Sequence, residues 1–447
     1  MEMFDYNMLL DDLGSKQYQR LQTELLQQNP ADIAGFLETL ESEKAVIIFR
    51  MLTKDTASEV FANLFPETQR SIIEALTDKE IAVIIEELYL DDAADFIEEM
   101  PAGIVKKVLA NAREDTRAQI NSLLQYPDNS AGSIMTVEFV DLPGGITIAE
   151  AFGRIRKVGP DKETIYTCYV TDGTRHLEGV VSVRKLLLAD SGARVRDVMD
   201  TVFVAARTLD DQEAVAHQFK KYDLLSLPVV DKEDRLVGII TIDDIIDVVQ
   251  EEATEDFEKM AAMRPSEKPY LRTGILSLAR NRITWLLVLM ISGMITGGIM
   301  KQYTAAIAAV PLLVTFVPMI TGTGGNAGSQ SSTVVIRGMA LEEIGARDFA
   351  RIWWKELRTS LVVGVLLSAV NFVRVYLQER DVVLGLTVSF SMLLTVVIAQ
   401  TLGGLLPMVA RAFRADPAVM AAPLISTMVD AVSLIIFFSI AQLILPL

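Results

Sequence analysis

Cysteine is almost missing from this chain. Cys168 stands alone, which excludes an intramolecular disulfide, and two histidines, His176 and His217, leave little for a zinc or other transition-metal site. Metal chemistry would have to use oxygen ligands. No basic stretch runs into an apolar one near the first residue, so no cleavable signal peptide is expected, and the acidic part is expected to stay in the cytoplasm. A Ser-His-Asp set, a Walker-type phosphate loop and Cys-His pairs are also lacking, which argues against an enzyme.

Charge is scarce in one half only. From Leu271 onward there are thirteen Lys/Arg and eight Asp/Glu, whereas residues 1–270 hold 28 and 51, a net of −23. An acidic chain of this kind implies no nucleic-acid partner. The runs Ile283–Met300, Gln302–Ile336, Thr359–Val373 and Val382–Ala410 are uncharged, and Pro417–Leu447 carries Asp430 alone. At about 20 residues per crossing, this pattern predicts five transmembrane helices in contact with lipid. With the N-terminus inside, ten Lys/Arg, among them Arg272 and Arg414, fall on the inner side and three, Lys301, Arg374 and Arg380, outside. That split follows the positive-inside bias and places the C-terminus outside. Leu341–Glu356, with Trp353 and Trp354, reads as an interfacial helix.

Within the second run lies PMITGTGGNAGSQSSTVV, Pro318–Val335. Gly322, Gly324 and Ala327 fit a relaxed dinucleotide fingerprint, with Glu342 about twenty residues on, but no βαβ unit surrounds them. Small residues could simply let helices pack closely. The polar Asn326, Ser329, Gln330, Ser331, Ser332 and Thr333, following Pro311 and Pro318, favour instead a pore wall in which irregular backbone lines a polar cavity. Asp430, about 20 Å along if its helix starts at Pro417, would lie near mid-membrane. A carboxylate there costs about 2.5 to 3.5 kcal/mol even on lenient scales and should face an aqueous path. It could be a structural carboxylate bonded to Ser426 or Thr427, or a cation site. Two such residues on the axis of a symmetric dimer would neutralise a divalent ion. Oxygen donors without a dense acidic cage suit Mg²⁺, which keeps much of its water, although Ca²⁺, Mn²⁺ and Co²⁺ stay open.

The acidic half opens with a repeat of twelve residues: Leu40, Leu52, Leu64, Leu76, Leu88 and Met100 form one column, and Phe36, Ile48, Val60, Ile72, Ile84, Phe96 and Val108 another. Helix starters such as NPAD, LTKD and FPET lie between, which predicts an α-helical solenoid over residues 1–130. A duplication follows, with Tyr169–Leu187 matching Pro228–Ile246 and Met135 matching Met199; each copy reads strand, turn, strand, helix. It resembles a tandem pair of cystathionine-β-synthase (CBS) α/β domains, 131–198 and 199–250. The second copy's Thr241 and Asp244 match that family's ribose-binding Thr-x-x-Asp, which implies ATP, whereas the first copy has Ser182 and Lys185. An acidic helix within 243–270 then leads to the membrane region, 271–447.

PMITGTGGNAGSQ, STMVD (Ser426–Asp430), YLDDAAD (Tyr89–Asp95) and DDIIDVVQEEATED (Asp243–Asp256) together resemble the MgtE family of magnesium channels, over nearly the whole chain. The resemblance implies a multidomain membrane protein of helical N domain, tandem CBS domains, connecting plug helix and five membrane helices. It implies a homodimer in a bacterial inner membrane that takes up Mg²⁺ and closes when cytosolic Mg²⁺ is high. Asp430 and Asn326 would be pore-site residues. Glu59, Asp91, Asp95, Glu213, Asp223, Asp244, Asp247, Glu252, Glu255 and Asp256 would be regulatory metal positions. Electrostatics points the same way, since two domains of −23 repel until divalent ions bind between them. A non-conducting Mg²⁺ or nucleotide sensor and a Na⁺- or H⁺-coupled carrier are the alternatives.

Overall fold

The computed structural model describes residues 6–266, 270–271, 273–341, 343–413, 415–420 and 422–445. Arg272, Glu342 and Arg414 lie outside the described residues. The chain divides into two compact units, Met1–Val249 and Gln250–Leu447.

The twelve-residue period becomes short helices: α1 (Tyr6–Gly14), α2 (Tyr18–Leu25), α3 (Pro30–Glu38), α4 (Ser42–Phe49), α5 (Lys54–Ala62), α6 (Pro66–Ala75), α7 (Asp78–Glu87), α8 (Leu90–Glu98), α9 (Ala102–Asn111) and α10 (Glu114–Leu123). The starters act as read. Asn29 accepts from Ala31 N, Thr53 accepts from Thr56 N, Thr77 forms a capping box with Glu80, and Pro30 and Pro66 open their helices. One face of each helix is buried, from Phe36, Ile48 and Val60 to Ile72, Phe96 and Val108. Alternate helices pack together, α3 on α5, α5 on α7 and α7 on α9, so the column of each repeat closes on the next.

The duplication gives two three-stranded sheets. In one, β1 (Asp141–Pro143) runs parallel to β2 (Thr167–Thr171), which pairs antiparallel with β3 (Leu177–Ser182); β4 (Ala206–Arg207), β5 (Ser226–Val230) and β6 (Leu236–Thr241) repeat the pattern. Helices α11 (Ile148–Val158), α12 (Val183–Leu188), α13 (Val195–Val198) and α14 (Gln212–Tyr222) complete the copies. The segments at Met135 and Met199 exchange places: Thr136 pairs with Ile239 of the second copy and Asp200 with Val180 of the first. Gly238 and Gly179 permit this, because a Cβ at either would lie under 3 Å from the Met135 or Met199 sulfur and from backbone oxygen. Helix α15 (Ile242–Met260) follows.

The second unit has α16 (Ile275–Gln302), a short α17 (Thr304–Ala309), α18 (Leu313–Ala340), α19 (Phe349–Glu379), α20 (Val382–Ala412) and α21 (Ala422–Ile444). Among the described residues four helices are long and apolar enough to cross a membrane: α16, α19, α20 and α21 from Pro423. The sequence predicted five. The helix that falls short is α18, whose length suffices but whose Gly, Ser, Thr, Asn and Gln content makes it too polar. The expected break in backbone also differs. Pro311 ends the preceding segment, yet Pro318 sits inside α18 and the helix continues unbroken through the glycines. Among the described residues there is no separate interfacial helix either: after a 3₁₀ turn at Ala346–Asp348, Trp353 and Trp354 belong to the first turns of α19, which runs without proline to Glu379.

Glycine spacing gives α18 its neighbours. A Cβ at Gly324 would meet Thr395, Ser433 and Val429 within 3 Å, and one at Gly403 of α20 would run into the Gly328 backbone. Gly403→Ala is expected to cost at least 1 to 3 kcal/mol by overpacking, lowering the thermal midpoint of the purified protein in detergent, whereas Gly322→Ala, with open space around its Cβ, leaves it unchanged.

Candidate metal and pore sites

The N-terminus of α8 carries Asp91 and Asp92 onto the segment before β1. Leu90 N donates to Glu138 Oε2 at 3.1 Å, and Glu163 N donates to the Glu138 carbonyl at 3.0 Å. These bonds bring Asp91, Glu138 and Glu163 together, with a ligand oxygen of each lying within 4.8 Å of the others. Asp91 is 7% exposed, and Glu163 Oε2 is buried without a hydrogen-bond partner.

Crowding shows in the ionisation. Burial and the neighbouring Asp92 push Asp91 up to about 7; burial, then Asp244 and Asp243, push Asp92 to about 7. Burial followed by Asp91 and Asp244 raises Glu163 to about 9, and burial with Asp91 raises Asp244 to about 7 although Thr241 Oγ1 donates to it at 2.5 Å. Glu138 is raised by burial, with Lys162 opposing. Asp95 lies at the exposed rim of the same set and is raised too, through the protein around it and the charges of Asp91 and Asp92. So many carboxylates held together favour a cation and disfavour a phosphate. All the donors are hard oxygens, and the orphaned Glu163 oxygen is free to ligate, so the residues fit Mg²⁺ or a similar ion.

The other expected metal positions divide. Asp244 joins this cluster. Glu59 is exposed on α5 and acts with Glu163, Glu138 and Asp91 on the Tyr89 hydroxyl, at the cluster's edge. Asp247 is exposed one turn past Asp243, and burial followed by Asp243 raises it. Glu213 lies in the first turn of α14 and Asp223 caps its far end in the left-handed conformation, so one helix holds them apart by its length, about 15 Å. Glu252, Glu255 and Asp256 gather in the second unit, on the last turns of α15 with Asp416. The sequence reading missed Glu138, Glu163, Asp92, Asp243 and Asp416. Asp92 and Asp243 each adjoin a named residue, but nothing local distinguishes Glu138, Glu163 or Asp416.

In the membrane unit, Gly324, Gly325, Ala327, Gly328, Ser331 and Ser332 turn inward, while Gly322, Asn326, Gln330 and Thr333 are exposed at spacings of four, four and three. That spacing is one helix face, so α18 packs with its small residues and leaves a polar stripe on the surface. Gly325 stands against Ser426, where a Cβ would come within 2.6 Å of the hydroxyl, and Asp430 follows Ser426 one turn later on the same face of α21. Asp430 is half-buried, and it makes no hydrogen bond or ion pair among the described residues, although Ser426 and Thr427 are near in sequence. The Pro417–Met420 segment is a separate 3₁₀ turn, so Asp430 lies about 12 Å into its helix rather than 20 Å, closer to the N-terminal end of α21.

A second membrane-unit carboxylate escaped the sequence reading. Ser331 Oγ donates to Glu356 Oε2 at 2.6 Å, in a niche that Gly404 opens, since a Cβ there would lie 2.8 Å from Glu356 Cγ. Gly404→Leu should displace Glu356 from Ser331 and lower cation flux several-fold by moving the polar stripe, as read in reconstituted vesicles.

A family model described as a divalent cation transporter matches residues 317–440, one for the MgtE intracellular N domain matches 28–129, and a CBS-domain model matches 195–251. The magnesium transporter MgtE of Thermus thermophilus is 38% identical over 93% of both chains, and that of Bacillus subtilis is 32% identical over 92% of this chain and 91% of its own. A solved cytosolic domain described as that of the Mg²⁺ channel MgtE in complex with ATP is 36% identical, covering 55% of this chain and 100% of its own, with a TM-score of 0.53. At these identities over nearly its whole length, the chain belongs to the MgtE family of magnesium transporters.

Proposed function

We propose that the protein is a Mg²⁺-selective channel for magnesium uptake, acting as a homodimer in a bacterial inner membrane, with its N-terminus cytoplasmic and C-terminus outside, and closed by cytosolic Mg²⁺. One observation carries the pore: an exposed polar stripe on α18, a helix that packs through its small residues on α21, which bears the unpaired Asp430. A polar helix face against lipid tails leaves side-chain groups unsatisfied, so it needs water or a second copy of the same face. Two copies supply both, with Asp430 and Asn326 of each lining a path and the paired carboxylates matching a dication.

The regulatory reading rests on the cytosolic cluster. Asp91, Glu138, Glu163 and Asp244 would hold Mg²⁺ between the solenoid and the strands, with Asp95, Glu59 and Asp247 at its rim; Glu252, Glu255 and Asp256 would hold it on α15. Glu213 and Asp223 would be separate positions at the two ends of α14. ATP would sit away from Thr241 and Asp244, whose surroundings are carboxylates. A cleft of about 400 Å³ offers Phe139, Val137 and Leu236 for a base, with Lys162 and Arg175 for phosphates.

Flux from vesicles containing the purified protein tests the function. Mg²⁺ is expected to pass down its gradient, to stop when Mg²⁺ is added on the cytosolic side, and to give a reversal potential indifferent to Na⁺ and H⁺ gradients. Absence of flux would mean a sensor, and a Na⁺- or H⁺-dependent reversal potential would mean a carrier.

A further inference from the structure

We propose that Lys259 is a built-in rival of the regulatory divalent cation, a tethered ammonium seated between Glu255 and Asp416 that sets the Mg²⁺ concentration at which the channel closes. This rests on the gating just proposed.

Within the second unit the Lys259 ammonium is 2.7 Å from Glu255 Oε1 and 2.8 Å from Asp416 Oδ2. It is a bridge rather than a surface pair, with the lysine side chain 25% exposed and each carboxylate 35%. Glu252, Glu255 and Asp416 all act on the charge of Asp256, so four carboxylates share the site with one lysine, a net of −3. A single ammonium is a compact point charge and leaves most of that charge uncompensated. A divalent cation carries twice its charge and wants the same oxygens. The two cannot be accommodated equally by the same oxygen pair, so metal must displace the lysine or share Asp416 and Glu255 with it.

Position makes the competition consequential. Asp416 Oδ1 accepts from Ala418 N at 2.8 Å, capping the 3₁₀ turn that leads into α21 and hence toward Asp430. Glu258 Oε2 accepts from Ser266 N at 2.7 Å, so the end of α15 is fixed on its other side. What occupies the space between Glu255 and Asp416 therefore bears on the segment entering the pore helix.

The sign of the effect separates competitor from clasp. If Lys259 competes, Lys259→Gln removes a positive charge and frees two carboxylates, so Mg²⁺ binds more tightly and closure occurs at a Mg²⁺ concentration at least threefold lower than in the unchanged protein. If Lys259 only clasps the helix, its loss weakens closure and the midpoint rises. Mg²⁺ inhibition curves for the full-length protein in vesicles read the midpoint, with Lys259→Arg, which keeps the charge, staying close to the starting value. Mn²⁺ titration followed by electron paramagnetic resonance on the detergent-solubilised full chain reports binding apart from flux, and Lys259→Gln should raise Mn²⁺ affinity at one class of site. A midpoint that rises or stays fixed, or unchanged Mn²⁺ affinity, overturns the proposal. An unchanged protein that conducts but ignores cytosolic Mg²⁺ overturns the gating reading and this inference with it.

Discussion

Asp430→Asn should abolish most Mg²⁺ flux while leaving the protein folded. A dication about 4 Å from one carboxylate gains on the order of 2 kcal/mol in water and 8 kcal/mol at an effective dielectric of 20, twice the figures for unit charges. Even the lower figure exceeds a factor of ten in site occupancy. Asparagine keeps the shape and an oxygen ligand but loses the charge. Since an uncharged amide is cheaper to place in a membrane helix than a carboxylate, stability should hold or rise. Flux in vesicles with Mg²⁺, Ca²⁺ and Co²⁺ measures the first effect and thermal unfolding in detergent the second. Wild-type flux through the folded Asp430→Asn protein would place this side chain off the conduction path, and the pore assignment would have to move away from this part of α21.

The second large effect concerns the cytosolic cluster. Asp91→Asn with Glu138→Gln and Glu163→Gln should leave conduction intact but remove much of the response to cytosolic Mg²⁺, and should stabilise the Met1–Val249 unit when no divalent ion is present. The pH dependence follows from the raised values. Unfolded carboxylates titrate near 4, whereas Asp91, Asp92 and Asp244 titrate at about 7 and Glu163 at about 9 in the fold. Between those limits the folded unit holds protons that the unfolded chain has released, so its stability falls as pH rises, by about 1.4 kcal/mol per pH unit for each extra proton held. Without divalent ions the unit should therefore melt several degrees lower at pH 8 than at pH 5.5. Saturating Mg²⁺ should recover most of that loss at pH 8 and little at pH 5.5, where protons already occupy the cluster. A melting temperature that rises with pH, or a triple variant as pH-sensitive as the starting protein, would show that these carboxylates are not the ones strained together.

Much of this was legible before any coordinates. The twelve-residue columns are buried as spaced, apart from the half-buried Leu40 and Leu52, because a short helix can cover its apolar face only by stacking on its neighbours. The duplicated strand-turn-strand unit folds into matching sheets. Asp430 stood out because an ionised group in a long apolar run has few explanations. The glycine-rich stretch was harder. It folds as one continuous helix rather than the interrupted backbone expected of it, with small residues packed on one face and polar ones exposed on the other, and composition does not assign faces until the neighbouring helices are placed.

What the sequence determined by itself was everything written in local periodicity or in long-range absence of charge: the solenoid, the duplication, the apolar spans and the solitary carboxylate. Only the tertiary structure decided which acids meet. Glu138, Glu163 and Asp416 stand in unremarkable local surroundings. They gain their chemistry from Asp91 and Lys259, which lie tens to more than a hundred residues away, because electrostatic coupling depends on distance through space and on burial, and neither is recorded in the order of residues along a chain.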